Sequence, residues 1–203
     1  MIAIVDYGVG NLYSLTSSLQ TVGADVVVTG DGETLKKADK ILLPGVGAFS
    51  DAIKKLKETG LAKILVEEAQ KGKKLLGICL GMQLLFEKSY EYGEHDGLAL
   101  LKGKVVPMRG VIDETLKIPQ IGWNSLRFEK SHPLLKYIKD GDFVYFVHSY
   151  YAKDCEDSLL LTTEYGAHLT AAVVKNNVAG MQFHPEKSGE VGLKLLRAFV
   201  EWE

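Results

Sequence analysis

The chain has 203 residues, with 24 Lys and Arg against 26 Asp and Glu for a formal net charge of −2, which argues against a nucleic-acid binder and its basic face. Hydrophobic residues make up 46% and charged residues 25%, the proportions of a globular chain rather than a disordered one. The longest apolar stretch, Leu75 to Phe86, is shorter than the ~20 residues a bilayer needs and is broken by Gly77, Gly81 and Gln83, so no membrane helix is expected.

Met1 to Asp6 lacks a basic segment and meets an acid at once, so no signal peptide is expected and the expected location is cytoplasmic. The two cysteines, Cys79 and Cys155, have no paired spacing, which removes a disulfide framework and a zinc site. The length suits one domain over residues 1–203.

Ile2 to Val5 is a short apolar run that predicts a buried strand. Leu12, Leu15, Leu19 and Val22 form a helical stripe that Gly23 closes. Val26 to Val28, Ile41 to Leu43 and Leu75 to Ile78 predict three more strands, with helices over Ala52 to Lys57 and Leu61 to Gln70 before the last. Uniformly apolar strands alternating with helices indicate a mainly parallel sheet covered by helices on both faces, an α/β fold. The loop from Ser89 to Gly97 has no periodicity and reads as exposed. Further on, Val105 to Pro107, Ser125 to Phe128, Phe143 to Val147, Leu159 to Leu161, Ala171 to Val174 and Ala179 to Phe183 follow with little helix and read as partly antiparallel strands extending the sheet. A last helix is predicted over Glu190 to Trp202.

The chemistry centres on Gly77-Ile78-Cys79-Leu80-Gly81-Met82-Gln83, where a strand ends and the run Leu80, Leu84, Leu85 begins. This is the layout of a nucleophile elbow, with Cys in place of Ser and glycines where a β-carbon would collide with neighbouring backbone. A helix N-terminus there favours the thiolate. A cysteine nucleophile needs a base and a group to orient it. His184-Pro185-Glu186 supplies both, the two side chains pointing the same way if the chain stays extended. Oxyanion donors are expected from the Leu80 N–H and from Pro44-Gly45-Val46-Gly47 after a strand.

Gly8-Val9-Gly10 is not a dinucleotide fingerprint, because Tyr13 occupies the third glycine position; it reads as a tight loop. Asn11 suits either a helix cap or an interface residue. His95, His132 and His168 lack a partner pattern, and His148 at the end of Tyr145-Phe146-Val147-His148 stays open.

The elbow and the later H-P-E tripeptide together resemble the class I (triad-type) glutamine amidotransferases. Within that family, Tyr7 to Leu12, Leu43 to Phe49, Cys79 to Glu87, Gly122-Trp123-Asn124, Tyr145 to Tyr150 and Gln182 to Ser188 are similar to the glutaminase subunits of imidazole glycerol phosphate synthases of histidine biosynthesis. The resemblance implies a flavodoxin-like fold and a thioester mechanism. Cys79 would be the nucleophile, His184 the acid and base, and Glu186 its orienter. Val46, Gly47 and Leu80 would form the oxyanion hole, and Gln83, Glu91, Ser149 and Tyr150 would hold glutamine. Asn11, Trp123, Tyr145 and Lys187 would face a partner. Gln120 departs from the His that members often carry before the Gly-Trp-Asn block.

Ammonia from glutamine would pass to a separate cyclase subunit, a (β/α)₈ barrel bound as a heterodimer. That subunit would form imidazole glycerol phosphate and aminoimidazole carboxamide ribotide. About 250 residues are needed for such a barrel, more than this chain has to spare. No metal or cofactor, nucleic acid or membrane is expected to take part. The alternatives are the glutaminase of another synthase, for pyridoxal phosphate or anthranilate, against which P-G-V-G speaks, or a non-catalytic binding subunit, against which the intact Cys79, His184 and Glu186 speak.

Overall fold

The computed structural model describes every residue from Met1 to Glu203. Strands β1 (Ile2–Val5), β2 (Val26–Thr29), β3 (Lys40–Leu43) and β4 (Lys74–Ile78) alternate with helices α1 (Leu12–Thr21), α2 (Gly32–Lys37), α3 (Phe49–Glu58) and α4 (Leu61–Gln70). A single helical turn α5 (Leu80–Gln83) leads into β5 (Phe86–Ser89), β6 (His95–Asp96), β7 (Leu101–Pro107), β8 (Gln120–Phe128), β9 (Phe143–His148), β10 (Tyr150–Lys153), β11 (Leu159–Glu164), β12 (His168–Lys175) and β13 (Val178–Met181). Helix α6 (Gly189–Val200) closes the chain.

Nine strands form one sheet in the order β2-β1-β3-β4-β13-β12-β11-β8-β9. The first five are parallel in the flavodoxin-like 2-1-3-4-5 pattern, with β13 as the fifth strand, and the rest are antiparallel. Alternation along the parallel strands sends Ala3, Val5, Ile41, Leu43 and Leu75 to a core shared with α2, α3 and α4. Ile2, Ile4, Leu42, Leu76 and Ile78 face the opposite core with α1 and α6. Helices thus cover both faces of the parallel half, as periodicity predicts.

Three expectations change. Val105 to Pro107 belongs to β7, which lies not in the large sheet but in a second sheet of order β10-β7-β5-β6. The reason is local: Leu101 and Val105 turn into the core of α3 and α4, against which this small sheet packs. The helix after Cys79 is only four residues long, because Leu84 and Leu85 turn out of it toward β5. Its dipole is correspondingly small, since the macrodipole needs aligned turns. Helix α2 is unforeseen; with one buried apolar residue, Leu35, it is too short to show a period, and the Asp31 side chain capping Thr34 N at 2.9 Å sets its start.

The candidate active site

Strands β3, β4 and β13 end at the same edge of the sheet, which is where an open α/β sheet places its ligands. After β4 the backbone bends so sharply that Cys79 adopts φ 54° and ψ −113°, a left-handed conformation that strains any non-glycine residue. The bend holds because its flanks are glycine. A Cβ on Gly77 would lie 2.5 Å from the Gly81 carbonyl oxygen, and one on Gly81 would lie 1.9 Å from the Leu43 carbonyl oxygen. The Cys79 N–H donates to the Met181 carbonyl at 2.7 Å, tying the elbow to β13.

His184 and Glu186 follow β13. His184 stays extended, but Pro185–Lys187 forms a 3-10 turn, so the chain does not run on as a strand. The turn, not strand alternation, brings the Glu186 carboxylate back to His184: Nδ1 donates to Oε1 at 2.8 Å, with both side chains almost fully buried. The other carboxylate oxygen, Oε2, is buried without a partner. Burial alone would lower the His184 pKa, but the Cys79 sulfur and the Glu186 carboxylate outweigh it and hold the ring up at about 9. Around the sulfur, Gln182 Nε2 donates to Sγ at 3.8 Å, and Sγ lies 3.9 Å from the Val147 carbonyl.

Cys79 and His184 open into a cavity of about 660 Å³. Its wall also contains Val46, Gly47, Leu80, Gln83, Glu91, Ser149 and Tyr150, every residue expected in the oxyanion and glutamine groups. In the Pro44 loop the two halves differ. The Pro44 carbonyl accepts from buried Tyr7 Oη at 2.8 Å, and Gly45 is wedged against the Gly81 backbone, where an added Cβ would meet Gly81 N at 2.8 Å. Gly47 has φ +90° with open space where a Cβ would be, and Val46 is exposed. Glu91 folds back from the Ser89–Gly97 loop so that its carboxylate accepts from Phe49 N at the start of α3, while burial pushes its pKa up. Tyr90, Tyr92, Gly93, Glu94 and Asp96 of that loop are exposed as expected, whereas Ser89 is buried and Glu91, His95 and Gly97 are half-buried.

Of the residues expected to face a partner, Trp123 and Tyr145 meet edge to face at 6.0 Å, and Lys187 Nζ lies 6.0 Å from the Tyr145 ring. Trp123 is 52% exposed. Asn11 starts α1 without a side-chain cap bond, which removes the capping reading. Gly8 and Gly10 have φ of +81° and +127°, the tight loop the sequence suggested. Sequence reasoning missed Gln182 and Gln120 as site-supporting groups and left His148 open; all three are buried. The bonds that join them to one another and to the elbow span 28 to 103 residues, so no local spacing marks them.

The glutamine amidotransferase class-I family model matches residues 3–202. The "Imidazole glycerol phosphate synthase subunit HisH" of Caldanaerobacter subterraneus subsp. tengcongensis is 52% identical over 99% of this chain and 98% of its own length. The protein of the same name from Aquifex aeolicus is 50% identical over 97% and 94%. Among solved structures, "Crystal structure of glutamine amidotransferase" superposes with a TM-score of 0.77 at 19% identity, covering 99% of this chain and 98% of that one. "Structure of PurLQS from Thermotoga maritima" gives 0.76 at 21%, covering 99% and 97%, a likeness of fold. With a family model spanning the chain and relatives half identical along it, the chain belongs to the class I glutamine amidotransferases.

Proposed function

We propose that the chain is the glutaminase subunit of an imidazole glycerol phosphate synthase, hydrolysing glutamine to glutamate and passing ammonia to a cyclase subunit. The observation that carries the reading is the strained Cys79 opening into one cavity with the buried His184–Glu186 pair, in a chain half identical to relatives of that name.

Cys79 Sγ attacks the γ-carboxamide carbon, and the carbonyl oxygen becomes an oxyanion met by the Leu80 N–H and the Val46–Gly47 peptide. Because Nδ1 of His184 is committed to Glu186, Nε2 is the atom that serves the sulfur and the substrate. It gives its proton to the leaving ammonia, the thioester forms, and His184 then takes a proton from the water that releases glutamate. Gln83, Glu91 and the Ser149–Tyr150 backbone hold the glutamine. The whole of residues 1–203 serves as one domain. Asn11, Trp123, Tyr145 and Lys187 meet the cyclase, a (β/α)₈ barrel, in a cytoplasmic heterodimer.

The Val46–Gly47 peptide is the gate, since Tyr7 and Gly81 pin the first half of the loop and leave the second half to turn. One oxyanion donor is worth about 10²–10³ in rate, so a peptide turned the wrong way silences the free subunit. The test measures glutamate release by the free chain, by the complex, and by the complex with the cyclase ligand bound. Rates should rise along that series. Equal rates in all three would refute the gate. Cys79→Ala should abolish glutamate release while the cyclase still works from added ammonia, and failure to bind a histidine-pathway cyclase would refute the assignment.

A further inference from the structure

Through the cavity wall runs a chain of polar groups, three of which, Gln120, His148 and Gln182, the reaction as written does not use. One end of the Gln120 amide lies 2.9 Å from the Asn124 amide and the other end 2.9 Å from His148 Nε2. His148 Nδ1 lies 2.8 Å from the Tyr150 carbonyl, which also accepts from Gln83 Nε2 at 3.1 Å. Gln83 donates in turn to Gln182 Oε1 at 2.9 Å, and Gln182 reaches the Cys79 sulfur. Gln120, His148, Gln83 and Gln182 are all buried.

The Tyr150 carbonyl needs these donors for a topological reason. Strand β10 is the edge of its sheet, and the ladder bond from Met108 N goes to the Ser149 carbonyl. Antiparallel pairs alternate, so the Tyr150 carbonyl faces away from β7, where no strand follows. Left alone it would be an unsatisfied acceptor at the wall of the cavity.

A carbonyl only accepts, so the proton on the His148 ring sits at Nδ1. Burial, with the His184 charge adding to it against the Tyr150 bond, lowers the ring's pKa to about 4, leaving Nε2 as a lone pair at neutral pH. Gln120 satisfies that lone pair by exchanging its amide oxygen and nitrogen in place. Asn124 then turns likewise, giving up its 3.2 Å bond to the exposed Glu164 carbonyl to solvent.

We propose that His148 is a positioning residue for glutamine: its Nδ1–H fixes the Tyr150 carbonyl, and through it the Ser149–Tyr150 wall and the Gln83 amide that the substrate meets. This rests on the glutaminase reading above. The ring itself makes no bond in the reaction; it acts through the backbone it holds.

The test is steady-state glutamate release by the complex with its cyclase subunit, comparing wild type, His148→Leu and His148→Asn. Leu removes the donor, and the KM for glutamine should rise roughly three- to tenfold with a smaller fall in kcat, the effect of losing one hydrogen bond. Asn sets its amide nitrogen where Nδ1 stood and should bring KM back to within about twofold of wild type. A wild-type KM for His148→Leu, or no rescue by His148→Asn, would overturn the proposal. If His148→Leu fails to fold, ¹⁵N NMR of the wild-type chain decides: the neutral Nδ1–H tautomer supports the proposal and the Nε2–H tautomer overturns it. Should the wild-type complex release no glutamate at all, the glutaminase reading fails by itself, and the tautomer still judges the His148–Tyr150 bond.

Discussion

Acidification from pH 7 to pH 4 should weaken the fold by about 3 kcal/mol through His148 alone. The ring is buried and neutral, and its pKa falls from the ordinary 6.5 to about 4, with burial the main cause. Between these values the unfolded chain carries a proton that the folded chain does not, so stability falls as pH drops through that window and is flat on either side of it. At about 1.36 kcal/mol per pKa unit, the loss is about 1.4 kcal/mol by pH 5.5 and about 3 kcal/mol by pH 4. Urea unfolding of wild type and His148→Asn at several pH values isolates the effect, because carboxylates and the other histidines are common to both and cancel in the difference. His184 has the opposite sign: its pKa is raised to about 9, so its contribution is present below 6.5 and lost as pH rises through 9. It too cancels. A stability difference that stays constant from pH 7 to pH 4 would refute the neutral, buried state assigned to His148.

Iodoacetamide should inactivate the protein by labelling Cys79, since burial and then the neighbouring Glu156 and Asp154 push the Cys155 thiol up; peptide mapping that ties inactivation to Cys155 would overturn the nucleophile. Gly81→Ala forces a Cβ to 1.9 Å from the Leu43 carbonyl oxygen, and overpacking of this kind should destabilise by about 1–3 kcal/mol. Thermal unfolding should show that drop together with lost turnover; wild-type stability and turnover would mean the elbow is not set by close packing. Glu186→Gln should keep glutamine binding while lowering kcat, less severely than loss of Cys79, and unchanged kcat would leave His184 to be oriented by another group. In Cys79→Ala the His184 ring loses the sulfur that helps raise it, so NMR titration should find its pKa lower than in wild type; an unmoved value would separate the two side chains.

The parallel half of the fold was legible because its strands read as apolar runs, β1, β3, β4 and β13 being buried on both faces and the edge strand β2 half-buried, while α1, α3, α4 and α6 each show a stripe. The elbow was legible for a steric reason: Gly77 and Gly81 are there because nothing larger fits. Strands β5, β6 and β10 and the separate sheet they build with β7 were not legible. They are short and mixed in polarity, and which sheet a strand joins depends on partners elsewhere. Glu186 was linked to His184 for the wrong reason, since proline opens a 3-10 turn as readily as it prolongs an extended chain. Gln120, His148 and Gln182 escaped functional notice because a buried polar side chain announces itself only through its partners: the short-range ones, Asn124 and the Tyr150 carbonyl, form no recognisable motif, and the others lie 28 to 103 residues away.

The insertion of β13 between β4 and β12 bears on how the protein is made. β4 can pair with β3 at once, but it leaves the ribosome about a hundred residues before β13, the strand that covers its other edge, and at about 5–20 residues per second the nascent chain waits on the order of 5–20 s. Throughout that interval the edge carrying Leu75, Leu76 and Ile78 is unpaired, the kind of apolar edge that invites intermolecular pairing and chaperone capture. Nor is the nucleophile in place before then, because the Cys79 N–H is held by Met181, the last residue of β13. A truncated product ending before Val178 would contain the thiol and its glycines yet lack the strand that holds the bend. Such fragments should aggregate and react with alkylating agents no faster than an ordinary exposed cysteine.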